Sequence, residues 1–241
     1  MLKLVLIELV IVLIAYIIGN VSPATLIASA EGIDIKELGS GNPGTTNVLR
    51  TLGPKAAIVT LIIDVGKGYI ATRLGYDLMI FVINAFAVSQ GVIYIEHIYL
   101  ISAWCALAVV VGHCWPAVLK FKGGKGVATA FGAILASNWK LAFFCILIFI
   151  MVVAISRFVS LGSIMAALSY VVLYMKDAVE LAKSIEVEGA NYDYYLQASV
   201  RFWIRTVPYI IIVIIIVARH KENIKRLFRG EENRLNIKID F

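Results

Sequence analysis

Charge is scarce in this chain. Asp, Glu, Lys and Arg make up 16% of its 241 residues, where an average soluble domain carries about 25%. With 61% hydrophobic residues, this excludes a water-soluble fold, which cannot hide so much apolar surface. The solvent is a bilayer. Cysteine is nearly absent too. Cys105, Cys114 and Cys145 lie inside apolar runs with no CxxC pair, which excludes a disulfide framework. No HExxH, carboxylate cluster, GxSxG or plausible Ser-His-Asp set is present, and no Walker A loop GxxxxGK[ST]. Metal-dependent, serine-hydrolase and P-loop chemistries therefore have no support. No metal or cofactor is expected, and no nucleic-acid partner.

What the chain has instead is long apolar runs. Residues 9–30, 97–119, 141–156 and 158–175 hold no charged residue, and a spanning helix needs roughly 17–25 mostly apolar positions. The first run is too long, and too broken by Asn20, Ser22 and Pro23, for a plain signal peptide, so it reads as a retained first helix. Apolar segments at 3–29, 55–74, 77–95, 98–119, 125–137, 140–156, 158–175 and 201–218 predict an all-α, polytopic membrane bundle. A single domain over 1–241 is expected, with 219–241 as a basic tail.

Charge also predicts sidedness, because Lys and Arg mark the cytoplasmic face. Arg219, Lys221, Lys225, Arg226, Arg229 and Arg234 put the tail inside. The acidic 176–200 connection then falls outside, and Arg157 with the 120–125 loop falls inside. A parity conflict follows. If the 31–54 and 120–125 loops share a face, an even number of crossings separates them, yet three apolar segments lie between. One of 55–74 and 77–95 must lie in the interface or merge with its neighbour.

Polar groups cluster in four places. ELGSGNPGTTNVLR (37–50) offers glycines whose backbone amides can converge on an anion. Ser40 and Thr45 or Thr46 add hydroxyls, Asn42 and Asn47 add amides, and Arg50 adds a planar fork suited to phosphate. KFKGGKGVAT (120–129) sets Lys120, Lys122 and Lys125 around Gly123, Gly124 and Gly126, just before a helical pattern. Amides at a helix N-terminus plus lysines make a phosphate cradle. RHKENIKRL (219–227) places His220 and Asn223 three apart, on one helical side. DVGKG (64–68) buries Asp64 and Lys67 in an apolar segment, where they can pair with each other or support the first loop. His113 is expected to make a structural hydrogen bond, and His97 to lie in an external turn without a role. Three phosphate-suited loops on one face point to a phosphorylated substrate bound where bilayer meets cytoplasm.

Jointly, GSGNPGTTNVLRTLG (39–53), DVGKG (64–68), GHCWPAVLKFKGGKGVATAFG (112–132), RFVSLGSI (157–164) and RHKENIKRL (219–227) resemble one family. They look like the bacterial membrane glycerol-3-phosphate acyltransferases that use acyl-phosphate as donor. The resemblance implies about seven transmembrane helices with the N-terminus outside, motif loops meeting at the cytoplasmic face of the cell membrane, and production of 1-acyl-glycerol 3-phosphate. It implies Ser40, Arg50, Lys125, His220 and Asn223 as the catalytic set. Gly39, Gly41, Asn42, Thr46, Asn47, Lys67, Lys120, Lys122, Gly123, Gly124, Gly126 and Ser163 are the substrate-binding candidates. Expected partners are glycerol 3-phosphate, acyl-phosphate and membrane lipid, with the chain a monomer. The family often has Ile and Ala where this chain has Pro43 and Thr45, and this chain is longer near 77–97 and 177–198. A carrier or channel for an organic phosphate is the rival reading, and it would place its binding groups near the membrane midplane.

Overall fold

The computed structural model describes residues 2–85, 91–184 and 192–235. Their regular structure is helical: α1 (Leu2–Gly19), α2 (Pro23–Ala30), α3 (Thr45–Thr51), α4 (Gly53–Ala85), α5 (Gly91–Cys114), α6 (Val127–Ser137), α7 (Trp139–Ser156), α8 (Val159–Ser184), α9 (Tyr192–Arg219) and α10 (Lys221–Arg229).

Each boundary has a local cause. α1 stops at Asn20, whose Nδ2 donates to the Tyr16 carbonyl at 2.7 Å, and Pro23 opens α2 at the position where proline's missing N–H costs nothing. Asn138 ends α6 and starts α7, its side-chain oxygen accepting from the Leu141 amide. A 51° bend at His220 separates α9 from α10.

The parity conflict is resolved by a merger. Residues 55–74 and the first part of 77–95 form one 33-residue helix, α4. At 1.5 Å per residue it is about 50 Å long, more than the ~30 Å of hydrocarbon needs. Only two helices, α4 and α5, then lie between the 31–54 and 120–125 loops. Residues 86–90 and 185–191, within the two predicted insertions, lie outside the described residues; the flanking parts of the second insertion extend α8 and α9.

Among the described residues, four segments are long and apolar enough to cross a membrane: Lys3–Ala30, His97–Leu119, Trp139–Ser156 and Val159–Lys176. The bent pair Trp203–Arg219 with Lys221–Arg229 makes a fifth if it counts as one span. α4 is missing from these because it holds Lys55, Asp64, Lys67, Arg73 and Asp77. α6 is missing because it has only 11 residues.

α5 is the central post, with Ala103, Cys105, Ala106, Val109, Val110 and Cys114 buried. Lipid supplies no hydrophobic drive for helix association, so close packing must do the work. Gly19 of α1 and Gly112 of α5 meet backbone to backbone: a Cβ on Gly112 would overlap the Tyr16 carbonyl and come within 3.0 Å of the Gly19 Cα. Gly68 and Gly132 do the same for α4 and α6, where a Cβ on either would overlap the other helix's backbone at the Thr129 or Val65 carbonyl. Large apolar side chains such as Leu9, Ile62, Phe143, Ile155 and Val172 point outward, where lipid is their solvent.

Candidate active site

The first polar loop is folded around Asn47. This buried side chain accepts the Ser40 amide at 2.8 Å and donates to the Leu38 carbonyl at 2.9 Å and the Ile35 carbonyl at 3.4 Å. Gly39 and Gly41 take positive φ of 59° and 68° to turn the chain around it, a conformation that glycine adopts without a Cβ penalty. Pro43 now has a reason. The Gly44 amide donates to the Asn42 carbonyl at 2.9 Å, a three-residue turn centred on Pro43, whose ring presets the required φ.

The second loop is pinned from two sides. The Gly123 and Gly124 amides donate to the Cys114 and His113 carbonyls, both at 3.1 Å. The Arg219 guanidinium donates to the Gly124 carbonyl at 3.0 Å and the Gly123 carbonyl at 2.7 Å. A Cβ on Gly123 or Gly124 would collide with the His113 carbonyl or ring. Gly126, at φ 83°, turns the chain into α6, and Val127 and Ala128 bring that helix's N-terminus to the cavity. Unpaired amides and the positive end of the helix dipole meet there.

The third element is the tail. Lys125 Nζ donates to Asn223 Oδ1 at 2.5 Å, and Asn223 Nδ2 donates to Glu232 Oε1 at 2.7 Å. Glu232 also accepts from Ser160 Oγ on α8 and Arg226 Nε on α10, both at 2.8 Å. The chain after α10 folds back so far that the Leu235 amide donates to the Arg157 carbonyl at 2.7 Å. The tail is therefore part of the site wall, not a free basic extension.

Beneath the loops lies a buried ionic cluster. Lys67 Nζ contacts Asp64 Oδ1 at 2.8 Å, the Val21 carbonyl at 2.6 Å and His113 Nδ1 at 2.8 Å. It joins α4 to the α1–α2 break and to the end of α5. Buried charges of this kind persist when paired.

These elements enclose one cavity of about 340 Å³. One end is polar, with Ser40, Asn42, Thr45, Arg50, Lys125, His220, Asn223 and Arg226 in its wall. The other is apolar, running along Phe131, Ile134, Ile146, Phe149 and Ala167 between α6, α7 and α8. Three cations (Arg50, Lys125 and Arg226) face Glu232 there, while Asp64 is matched by Lys67. The polar end thus keeps a positive surplus for an anion. Burial pushes the Lys125 ammonium down to about 8; Glu232 opposes the shift, and Arg226, Arg219 and Arg50 add to it. Burial alone would raise Glu232, but hydrogen bonds from Asn223, Ser160 and Arg226 hold it below the usual carboxylate range. The His220 ring, 2% exposed, sits 2.7 Å from the Ile216 carbonyl through Nδ1. A carbonyl can only accept, so Nδ1 carries the proton and Nε2 is left as an acceptor.

Known proteins resemble this chain over most of its length. The family model described as glycerol-3-phosphate acyltransferase matches residues 9–230. The chain belongs to the glycerol-3-phosphate acyltransferase family. Its curated relatives include the glycerol-3-phosphate acyltransferase of Shewanella loihica, 39% identical over 98% of this chain and 97% of that protein. That of Clostridioides difficile is 36% identical over 95% and 96%. Among solved structures, PlsY (YgiH), described as an integral membrane glycerol 3-phosphate acyltransferase, superposes in its glycerol 3-phosphate form with a TM-score of 0.73. It is 30% identical and covers 95% of this chain and 96% of that chain. Its lysophosphatidic acid form gives 0.71 over 95% of both. The apolar helices and this kinship make the protein a multi-pass membrane protein.

Within this acyltransferase the structure sorts the sequence candidates. It brings Ser40, Asn42, Thr46, Asn47, Arg50, Lys125, Gly126, Ser163, His220 and Asn223 to one cavity. Asn47 is there, but its polar groups serve the loop. Ser163 is there with its hydroxyl donating back to the Val159 carbonyl at 2.9 Å. Seven candidates are outside the lining. Gly39 and Gly41 shape the first loop, and Gly123 and Gly124 spend their amides on α5. Lys67 is consumed by its buried cluster. Lys120 and Lys122 are exposed, because left-handed backbone at Lys120 and Phe121 turns that stretch outward. Glu232, Arg226 and Ser160 were missed. Glu232 follows a run of basic residues that reads as a solvated tail, and no local spacing pairs it with Ser160.

Proposed function

We propose that this protein transfers a fatty acyl group from acyl-phosphate to the 1-hydroxyl of glycerol 3-phosphate, giving 1-acyl-glycerol 3-phosphate (lysophosphatidic acid) and inorganic phosphate. The observation that carries this reading is the single cavity with a cationic polar end and an apolar trench. A molecule with a phosphate head and a fatty chain fits both ends at once. PlsY, solved in glycerol 3-phosphate and lysophosphatidic acid forms, supports the acceptor and the product. The polar groups lie on loops and helix ends, which favours an interfacial enzyme over a midplane carrier. The surplus of Lys and Arg on those loops supports a cytoplasmic-membrane location with the site and the tail facing the cytoplasm.

The mechanism needs little covalent help. Acyl-phosphate is a mixed anhydride with a good leaving group. Arg50, Lys125 and the N-terminus of α6 hold two phosphates together against their repulsion and aim the acceptor hydroxyl at the carbonyl. The new ester bond forms as the bond from carbonyl carbon to phosphate oxygen breaks. The hydroxyl proton passes to the departing phosphate, which leaves as hydrogen phosphate. The His220 ring, in the wall of the polar end, packs beside the bound acceptor, and Asn223 keeps the Lys125 ammonium in place.

The deciding assay combines purified protein, acyl-phosphate and glycerol 3-phosphate. Lysophosphatidic acid and phosphate are expected in equal amounts, with none when acyl-CoA replaces the donor; no product from acyl-phosphate would sink the reading. His220 gives a further check. A general base contributes about 10²–10⁴-fold, so under phosphate-assisted transfer His220→Ala loses less than about 10²-fold in kcat.

The pH profile follows from Lys125. Below about 8 the side chain is an ammonium; above it the charge and the attraction for phosphate are lost. kcat/KM, which reports the free enzyme, is therefore expected to fall as pH rises through about 8. Lys125→Arg keeps its charge throughout that range, so the alkaline limb disappears. A limb unchanged in that variant would assign it to another group.

A further inference from the structure

Among the described residues, four threonine hydroxyls are buried without a hydrogen-bond partner: Thr45, Thr60, Thr72 and Thr129. Thr60, Thr72 and Thr129 are wholly enclosed and lie outside the cavity lining. Thr45 alone lines the cavity. It follows the Pro43 turn and shares its wall with Ser40 and Arg50. A buried hydroxyl without a partner is costly, and such groups in a folded protein call for an explanation. Position supplies one here. The hydroxyl can donate, Arg50 in the same cavity wall draws an anion to this end, and phosphoryl oxygens are strong acceptors.

We propose that the Thr45 hydroxyl donates a hydrogen bond to a phosphoryl oxygen of a bound substrate, making Thr45 an affinity-setting residue of the phosphate end. This rests on the acyl-transfer reading of the cavity. The phosphoryl group belongs to glycerol 3-phosphate or to the acyl-phosphate donor, and both offer the same chemistry.

Two variants separate the hydroxyl from the shape of the residue. Thr45→Val keeps the branched shape and removes the donor; Thr45→Ser keeps the donor. With a hydrogen bond to a charged group lost, Thr45→Val is expected to raise one substrate's KM roughly tenfold, and Thr45→Ser to stay within about twofold of wild type. A rise for glycerol 3-phosphate places the bond on the acceptor; a rise for acyl-phosphate places it on the donor. The melting temperature in detergent is expected to hold or increase in Thr45→Val, because an unmatched buried hydroxyl is replaced by a methyl group. A merely structural hydroxyl would lower it. Equal KM values for wild type and Thr45→Val, or a Thr45→Ser variant as weak as Thr45→Val, overturns the proposal. Calorimetric titration with inorganic phosphate keeps the two levels apart. A wild type that makes no lysophosphatidic acid defeats the acyl-transfer reading, whereas equal phosphate affinity in wild type and Thr45→Val defeats the role of Thr45.

Discussion

Arg50→Ala is expected to reduce lysophosphatidic acid formation by at least ~10²–10³-fold, the loss typical when a preorganised electrostatic donor is removed. The effect is large because Arg50 is the only cation that the first loop brings to the cavity wall. Without it, that side of the polar end has hydroxyls and amides but no charge to offset two phosphates held together. The fold should not suffer. Arg50 is exposed, and the loop is held by Asn47 and the Pro43 turn instead. Circular dichroism and the melting temperature in detergent should match wild type. Near-normal turnover in this variant would remove the first loop from the site. Arg50→Lys should recover only part of the rate, because an ammonium cannot reproduce the planar two-pronged contact.

The second large effect is expected at Glu232. Its carboxylate, 5% exposed, gathers donors from Ser160, Asn223 and Arg226. Glu232→Ala leaves two buried donors, Ser160 and Asn223, unmatched, which costs about 1–3 kcal/mol for each one that water cannot reach. It also frees Asn223, so Lys125 loses its fixed partner, and Arg226 loses its counter-charge. Both stability and turnover should fall, turnover by more than ~10²-fold. Glu232→Gln keeps the oxygen that accepts from Ser160 and Asn223 but weakens the contact with Arg226, so it should be milder on both measures. A stable and active Glu232→Ala enzyme would mean that the tail does not close the cavity.

The apolar helices were legible because their driving force is composition. A charge-free run such as 97–119 has few alternatives in a bilayer. α4 was harder. The expected break between 55–74 and 77–95 falls between Arg73 and Asp77, which pair on one face four residues apart, at 3.0 Å, and the helix continues past them. The pair itself stabilises little; what matters is that it does not interrupt the backbone ladder. At the site, residue type was readable but direction was not. Lys120, Lys122 and Lys125 are equivalent as letters, and only the left-handed turn at Lys120 and Phe121 sends two outward and leaves one to bond Asn223. Glu232 was invisible for a related reason: its partners, Ser160 and Asn223, come from separate elements brought together by the tail folding back.

That fold-back also bears on how the protein assembles. Ser40 and Glu232 come from opposite ends of the chain, yet they line one cavity. Helices can insert individually before they pack, and the contacts that span the most sequence pay their loop-closure entropy before they are rewarded. The cavity is therefore complete only when the first and last parts of the bundle have met. Helix content or membrane insertion can look normal in a chain that has not reached that point. Turnover is thus the stricter gauge of a finished bundle, and a substitution that loosens the Gly19–Gly112 or Gly68–Gly132 contact should silence the enzyme well before it expels any helix from the membrane.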